Sequence, residues 1–487
     1  MIEKNGEGVL GFITNHGYLD NPTFRGMRWH LLNTFDKIWV LDLHGNAKKM
    51  EVAPDGGADK NVFDIMQGVS IIIAVKKKGK APKALAQVMQ GDLWGARAAK
   101  YAALSGRSKS ELMPNQITPE APFYILADRD FSAREEYGAG FQVTELFPVN
   151  STGMKTHRDH FAVGNSREEV TNRLNDLQAT VLSDTALREK YGLKDTRDWN
   201  LSSARSMARL VGQGEGIMAC AYRPFDSRWC IFGEIAMDWP RGEVMKNFVD
   251  LPNVGLIVPR QNAVNVWDHV FITDKLADDS YLSNRTKERG YVFPLYLYPS
   301  EQDLDQSRRV NFDPALFKAL QDQAADPEHG TPDEVAVFDY IYGVLHCPAY
   351  RQTYAEFLKI DFPRIPWPAS PDAFWDIAAK GAQLRALHLM QPAAIGATPY
   401  PFEGDGDSVV EKPRFEGGRV WINDTQSFAN APAVAWEFYI GGYQPAQKWL
   451  KDRRGRALGY DDIRHYQSIL KILAETARIM ETIEMVL

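Results

Sequence analysis

Cysteine is scarce in this chain, and its few copies are scattered. Three cysteines, Cys220, Cys230 and Cys347, among 487 residues are too few for a disulfide framework or a zinc knuckle, so reduced thiols are expected. Long apolar runs are missing too. The longest lies around Val69 to Val75 and stops at Lys76-Lys77-Lys78, well short of the roughly 18 residues a membrane span needs. The first residues carry Glu3, Lys4 and Glu7 in place of a signal-peptide core. A cytoplasmic protein with no membrane partner is expected. Excess positive charge is also lacking: 63 acidic and 56 basic residues give −7. That excludes histone-like electrostatic binding and leaves nucleic acid only to local basic patches. There is no internal repeat and no low-complexity tract.

The composition itself is ordinary and globular, with 44% hydrophobic and 24% charged residues, and the length suggests about two to four domains. The start reads β, α, β, β. Gly8 to Asn15 is β-rich, and Phe24 to Phe35 reads as a helix whose buried face is Trp29, Leu31, Leu32 and Phe35. Lys37 to Leu43 reads as a strand. Val69 to Val75, nearly all apolar and β-branched, reads as a strand covered on both faces. Gly45 to Lys60 is a loop. A helix is expected over Ala84 to Leu104, and a linker over Ser105 to Glu120. Beyond Phe123 the pattern is mixed α/β and rich in aromatics. Glu301 to Pro332 reads as a surface excursion with a helix near Pro314 to Gln323, and Ala393 to Gly418 as a second loop region. The chain closes on an amphipathic helix through Ile463, Tyr466, Leu470, Leu473, Ala477 and Met480, with Asp461 placed to cap it.

Few motifs carry chemistry. Gly212-Gln-Gly-Glu-Gly216 has no strand feeding it and reads as a surface turn. Asp20-Asn21-Pro22-Thr23-Phe24 reads as a helix entry. His157 and His160 lack a third metal ligand at a recognised spacing, and no nucleophile motif or nuclease signature is present. No catalytic residue and no metal ligand is therefore assigned. Phe63 precedes the strand Val69 to Val75 and has two readings, a core aromatic or a platform on which an extruded base stacks.

The series Gly11-Phe-Ile-Thr-Asn-His-Gly-Tyr-Leu19, Arg25-Gly-Met-Arg28, and Phe63 with Gly68-Val-Ser-Ile-Ile-Ile73 resembles the post-catalytic motifs of γ-type adenine-N6 DNA methyltransferases. The segments that follow resemble the methyltransferase–specificity portion of Type ISP restriction-modification enzymes. They are Asp92-Leu-Trp-Gly-Ala-Arg97 with Lys100-Tyr101, Ser151 to Asp159, Tyr222-Arg-Pro-Phe-Asp-Ser-Arg228, Tyr291 to Tyr296, Phe338 to Leu345, Phe362 to Pro366 and Gly441 to Lys451. The fold implied is α/β: a partial Rossmann-like methyltransferase sheet over residues 1–115, then a mixed α/β target-recognition domain over 116–487, helix-rich from about 331. The implied function is sequence-specific recognition of double-stranded DNA for an adenine-N6 methyltransferase, with Phe63 stacking on the flipped adenine. The family's cofactor is S-adenosylmethionine. The glycine-rich cofactor loop and the Asn-Pro-Pro-aromatic turn are missing, so this chain alone is expected to be inactive and to hold no cofactor tightly. An upstream methyltransferase, helicase or nuclease polypeptide is an expected partner.

Contacts with DNA follow from side-chain chemistry, because the planar forks of Arg, Gln and Asn match two-point base edges. The candidates are Arg223 and Arg228 around a Pro-Phe-Asp turn, Arg241, Arg260 with Gln261, and Asn284 with Arg285 and Lys287. Phosphate contacts are expected from Lys448, Lys451, Arg453 and Arg454, and from Lys76 to Lys80. Two other classes compete with this reading. One is a protein-interaction module that docks on a methyltransferase or motor without reading DNA. The other is a carbohydrate-processing enzyme, for which no paired carboxylates are found.

Overall fold

The computed structural model describes residues 2–47, 49, 51–79, 85–212, 214–262, 266–285, 288–300 and 303–486. Ala84, Gln213, Lys287 and Lys80, which belong to segments singled out above, lie outside them. The chain divides into two compact units, one running to Ser132 and including Lys359–Asp361, the other comprising Ala133–Leu358 and Phe362–Leu487.

The first unit is built on a five-stranded sheet. Its elements are β1 (Gly8–Asn15), α1 (Arg25–Thr34), β2 (Lys37–Asp42), β3 (Val69–Lys76), β4 (Gln87–Asp92), α2 (Arg97–Gly106) and β5 (Asn115–Ile117), and the strand order is β1-β3-β2-β4-β5. β3 is antiparallel to both β1 and β2, while β4 is parallel to β2. β1, β2 and β4 therefore run the same way, and Asn15, Asp42 and Asp92 end them in one row.

Alternation along the strands sorts their side chains. Ile38, Val40, Ile72, Ala74 and Val88 face Leu32 and Phe35, and Leu41, Val69 and Ile71 face the other side with Met113 and Leu104. This is the β-α-β-β order expected from the sequence. Both faces of β3 are covered, the second only partly, since Ile71 and Ile73 stay half-buried. Among the described residues β1 pairs with β3 alone, and it exposes Val9, Phe12 and Ile13.

Three expectations need correction. The helix placed over Ala84 to Leu104 is a strand followed by a helix. Val88 and Gln90 alternate inward with period two, and Gly91 and Gly95 interrupt any helix before Arg97. The supposed linker contains β5, and the first unit runs past residue 115 because Leu126 fills its core and donates its N–H to Leu19 O. On α1, Trp29 is exposed, and Arg28 is the buried side chain in its place. Its guanidinium donates to the carbonyls of Tyr18, Asn21 and Phe123 at 2.6–2.8 Å, while burial lowers its pKa to about 10. The helix entry holds: Asn21 caps the turn Pro22–Phe24 by accepting from the Thr23 N–H.

The second unit has one continuous hydrophobic core. Eight of its strands, β6 (Ser151–Thr152), β7 (Val163–Gly164), β8 (Ile217–Arg223), β9 (Asp226–Ile231), β10 (Gly255–Pro259), β11 (Phe271–Thr273), β12 (Leu276–Ala277) and β13 (Gly290–Pro294), make two of its four-stranded sheets. Their orders are β12-β8-β9-β7 and β11-β10-β13-β6. Helices then dominate: α3 (Pro314–Ala324), α4 (Glu334–His346), α5 (Pro371–His388), α6 (Pro445–Lys451) and α7 (Tyr460–Glu481). Ten successive residues of α4 are buried, from Val337 to His346, so α4 is the central helix. The closing helix α7 is capped by Asp462, which accepts from the Gly459 N–H, rather than by Asp461. Its buried stripe adds Ile469, Ile472, Thr476 and Ile479, while Ala477 and Met480 sit half-buried at its edge. Among the described residues, no helix is long and apolar enough to cross a membrane.

Candidate nucleic-acid interface

In the first unit the loop between β2 and β3 carries Phe63, a residue 42% exposed, so the core-aromatic reading gives way. The backbone around the ring is pinned. Phe63 N–H donates to Asn61 Oδ1 at 2.9 Å, and its carbonyl accepts from Arg97 at 3.0 Å. Arg97 also holds Asn61 O, and Tyr101 Oη donates to Val62 O at 2.7 Å. Deeper in the unit, Lys100 is fully buried and bonds Leu43 O, Lys60 O and Asp59 at 2.7–2.8 Å. The segment Asp92 to Tyr101 thus acts as the clamp of this loop. The loop also requires glycine at Gly45, which has φ +75° and where a Cβ would lie 2.3 Å from Asn61 Cα.

At the row of strand ends beneath the loop, His16, Asp42 and His44 are buried together. His16 Nδ1 lies 2.9 Å from Asp42 Oδ1, and His16 Nε2 lies 3.0 Å from the Asn46 side-chain nitrogen. His44 Nε2 bonds Asp92 at 2.8 Å, and its ring stacks on Trp94 with centroids 3.4 Å apart. Burial disfavours a charged His44, but Asp92, Glu51 and Asp42 outweigh it and raise the imidazole to about 9. Gly68 makes room, since a Cβ there would meet His16 Cε1 at 2.4 Å.

In the second unit the structure brings together two motifs far apart in sequence. Arg223 and Arg228 flank the β8–β9 turn, and Lys448, Lys451, Arg453 and Arg454 lie on or just after α6. Arg228 and Arg453 both reach the Asp226 carboxylate, at 2.9 and 2.8 Å. Arg223 pairs with Asp278 at 2.7 Å, and Lys448 pairs with Asp452 just after its own helix. Arg223 and Arg228 stack on opposite-running strands against the Tyr222 ring at 3.9 and 4.0 Å, and Arg453 lies 3.6 Å from the centre of Trp449. Burial raises the Asp226 carboxyl, but Arg453 and Arg228 overcome it and hold its pKa below the ordinary value. Arg223 and Arg453 are mostly buried, so this network fastens α6 to the hairpin and leaves Lys448, Lys451 and Arg454 at its rim. Arg260 and Asn284 are exposed, and Gln261 and Arg285 half-buried. The structure does not bring these four into the Asp226 network.

Arg241 belongs to a patch that the sequence reading missed. Lys155 and Trp239 exchange backbone hydrogen bonds at 2.9 and 3.1 Å. Over the Trp239 ring lie the Lys155 ammonium at 5.1 Å and the Arg241 guanidinium at 5.2 Å. Arg289 pairs with Asp279, which also lies 3.9 Å from Lys155. Burial, then the Arg289 and Arg241 charges, lower the Lys155 pKa. Lys155, Arg241 and Arg289 thus lie close together, with the Asp279 carboxylate between Lys155 and Arg289. Lys155 lies in the segment Ser151 to Asp159, but nothing in its spacing reveals Trp239 as its neighbour.

The Type ISP C-terminal specificity domain matches residues 145–482. This chain belongs to that family. Three solved structures share its fold across 98% of the chain. They are the ATP-dependent Type ISP restriction-modification enzyme LlaBIII bound to DNA (TM-score 0.74, 20% identity), a DrdV–DNA complex (0.74, 22%), and a nuclease-deletion mutant of the Type ISP enzyme LlaGI with a DNA substrate mimic (0.70, 19%). The chain spans 33%, 50% and 39% of those proteins, respectively. No curated protein matches it. The mixed α/β architecture expected for a Type ISP chain is therefore found, and the specificity domain holds both the Asp226 network and the Trp239 patch.

Proposed function

We propose that this chain recognises a specific sequence in double-stranded DNA as the target-reading part of a Type ISP restriction-modification system that methylates adenine at N6. The observation that carries the reading is the patch of Lys155 and Arg241 over Trp239, with Arg289 beside Lys155, inside the region matched by the specificity family. In an acidic chain such a local patch is the form DNA binding must take. The DNA-bound state of the three structural neighbours supports the same reading. Lys448, Lys451 and Arg454 then contact phosphates, while Arg241, Arg260, Gln261, Asn284 and Arg285 are the base-reading candidates. Arg223, Arg228 and Arg453 act by holding the hairpin and α6 in place.

Phe63, exposed on a clamped loop, is assigned to stack on the extruded adenine. S-adenosylmethionine belongs to the complete enzyme. Gly212–Gly216, the one glycine-rich turn of suitable spacing singled out in the sequence, precedes a strand instead of following one. It does not fit that cofactor. A second reading, docking on a separate upstream polypeptide, is favoured by the open edge of β1 with Val9, Phe12 and Ile13 exposed. The first is tested by fluorescence anisotropy of a labelled duplex pool. Binding that weakens steeply with salt, and that Lys155→Ala with Arg289→Ala abolishes, supports it; salt-independent or absent binding refutes it.

A further inference from the structure

Residues held in an unfavourable backbone conformation cluster where function overrides local preference, and two of them meet at Trp239 in the second unit. His157 has φ +54° and Arg241 φ +55°, in the left-handed region that few residues other than glycine adopt. The Arg241 guanidinium lies 5.2 Å from the centre of the Trp239 ring. The His157 ring stands edge-on to the same indole, with centroids 5.6 Å apart and planes at 65°. Lys155 lies over it as well, so one aromatic gathers all three side chains.

The imidazole is fixed from behind. His157 Nδ1 lies 2.5 Å from Asp238 Oδ2, and the Asp238 side chain is only 2% exposed. That carboxylate is itself held. Arg158 donates to Oδ1 at 2.5 Å and Thr196 Oγ1 to Oδ2 at 3.1 Å. Arg158 in turn donates to Ala236 O and lies 3.9 Å from the centre of the Trp199 ring. Paired with Arg158, the carboxylate is ionised and can only accept, so Nδ1 carries the proton and Nε2 of the neutral ring is an acceptor. The His157 side chain is 38% exposed, and among the described residues its Nε2 has no partner. It points away from the buried carboxylate, as a hydrogen-bonding group oriented before its ligand arrives.

We propose that His157 Nε2 reads one base in the DNA major groove by accepting from an exocyclic amine, adenine N6 or cytosine N4. This rests on the reading of the chain as a DNA-recognising protein. Those two amines are the donors that bases present in the major groove, whereas guanine and thymine present O6, N7 and O4 acceptors there. Opposite a guanine or thymine, Nε2 faces another acceptor and its hydrogen bond goes unmade, which disfavours both bases. Lys155 beside it meets the backbone, so one patch joins a phosphate contact to a base contact.

The test compares His157→Gly with the parent chain. Glycine accepts the left-handed φ, and Asp238 keeps Arg158 and Thr196, so the variant is expected to melt close to the parent. Each protein selects from a randomised duplex pool. The parent should enrich a motif with adenine or cytosine at one position where His157→Gly tolerates all four bases. An analogue without the amine is then placed there, unsubstituted purine for adenine or 2-pyrimidinone for cytosine. It should weaken the parent about tenfold and leave His157→Gly unchanged, and the analogue that acts identifies the amine. The salt slope should be equal in both proteins, because an uncharged contact releases no counterions. Crystals of the unmodified chain with the selected duplex give an independent reading: Nε2 within about 3.2 Å of N6 or N4 supports the contact. A parent that enriches no motif overturns the DNA reading and this inference with it. An identical motif from His157→Gly, a shallower salt slope in the variant, or guanine at the position it relaxes overturns the role of His157 alone.

Discussion

Arg453 and Asp226 stand 227 residues apart in sequence, yet their side chains meet at 2.8 Å in the second unit. The carboxylate also takes Arg228 at 2.9 Å, so one buried anion fastens α6 to the β8–β9 hairpin.

Removing that anion leaves two guanidiniums short of a partner in a poorly hydrated place. Asp226→Asn is therefore expected to cost about 3 kcal/mol of stability, measured by urea unfolding. The pH dependence has a definite sign. The folded state depresses the Asp226 pKa below its ordinary value near 3.8, so its contribution is fully present above the unfolded pKa and is lost as pH falls through the folded one. Below about pH 5, unfolding of Asp226→Asn should therefore depend less on pH than that of the parent chain. Parallel acid curves would remove Asp226 from its assigned role.

The Trp239 patch separates electrostatic contact from structural support. Lys155→Ala and Arg289→Ala should each lower the slope of log affinity against log salt by about 1, as phosphate contacts, and Arg241→Ala by less, as a base contact. Arg241 makes no ion pair among the described residues, so its substitution should move stability by less than about 0.5 kcal/mol. Salt titrations of duplex binding check this, and an unchanged slope for all three would place the DNA elsewhere.

Phe63 is pinned by its backbone and free at its ring. Phe63→Ala should leave unfolding within about 0.5 kcal/mol of the parent. It should weaken binding of a duplex with an extrahelical adenine about tenfold, the worth of one base–aromatic stack. Equal affinity of the two proteins for that duplex would return Phe63 to a surface role.

Arg28 supports the first unit from inside α1. Arg28→Met leaves the Tyr18, Asn21 and Phe123 carbonyls without their donor and should cost about 3 kcal/mol. Hydrogen exchange should then accelerate in residues 8–130 and stay unchanged in the second unit. Uniform acceleration would show that the two units unfold together.

Much of this fold is legible in the sequence where one local pattern decides it. The β-α-β-β start, the Asn21-Pro22 helix entry and the closing amphipathic helix are such cases. β4 is not, because Val88, Leu93 and Trp94 fall by accident near helical spacing, and only pairing with β2 shows that Val88 and Gln90 alternate inward. Trp29 and Arg28 invert the usual hydrophobicity rule, since three carbonyls from distant turns make burial of the guanidinium favourable. The interface was half legible. Arg and Lys positions can be read, but which of them are consumed by Asp226 and Asp278 depends on contacts across long sequence separations. Lys155 is not legible for the same reason, because Trp239, which meets it through a backbone bridge and through its ring, lies far along the sequence.

The central claim is that this chain reads a DNA sequence, and selection of the purified full chain against a randomised duplex pool tests it most directly. One enriched, asymmetric motif containing an adenine, bound far more tightly than its scrambled counterpart at the same salt, is the predicted result. An unenriched pool, bound weakly or equally well in every sequence, would contradict the account.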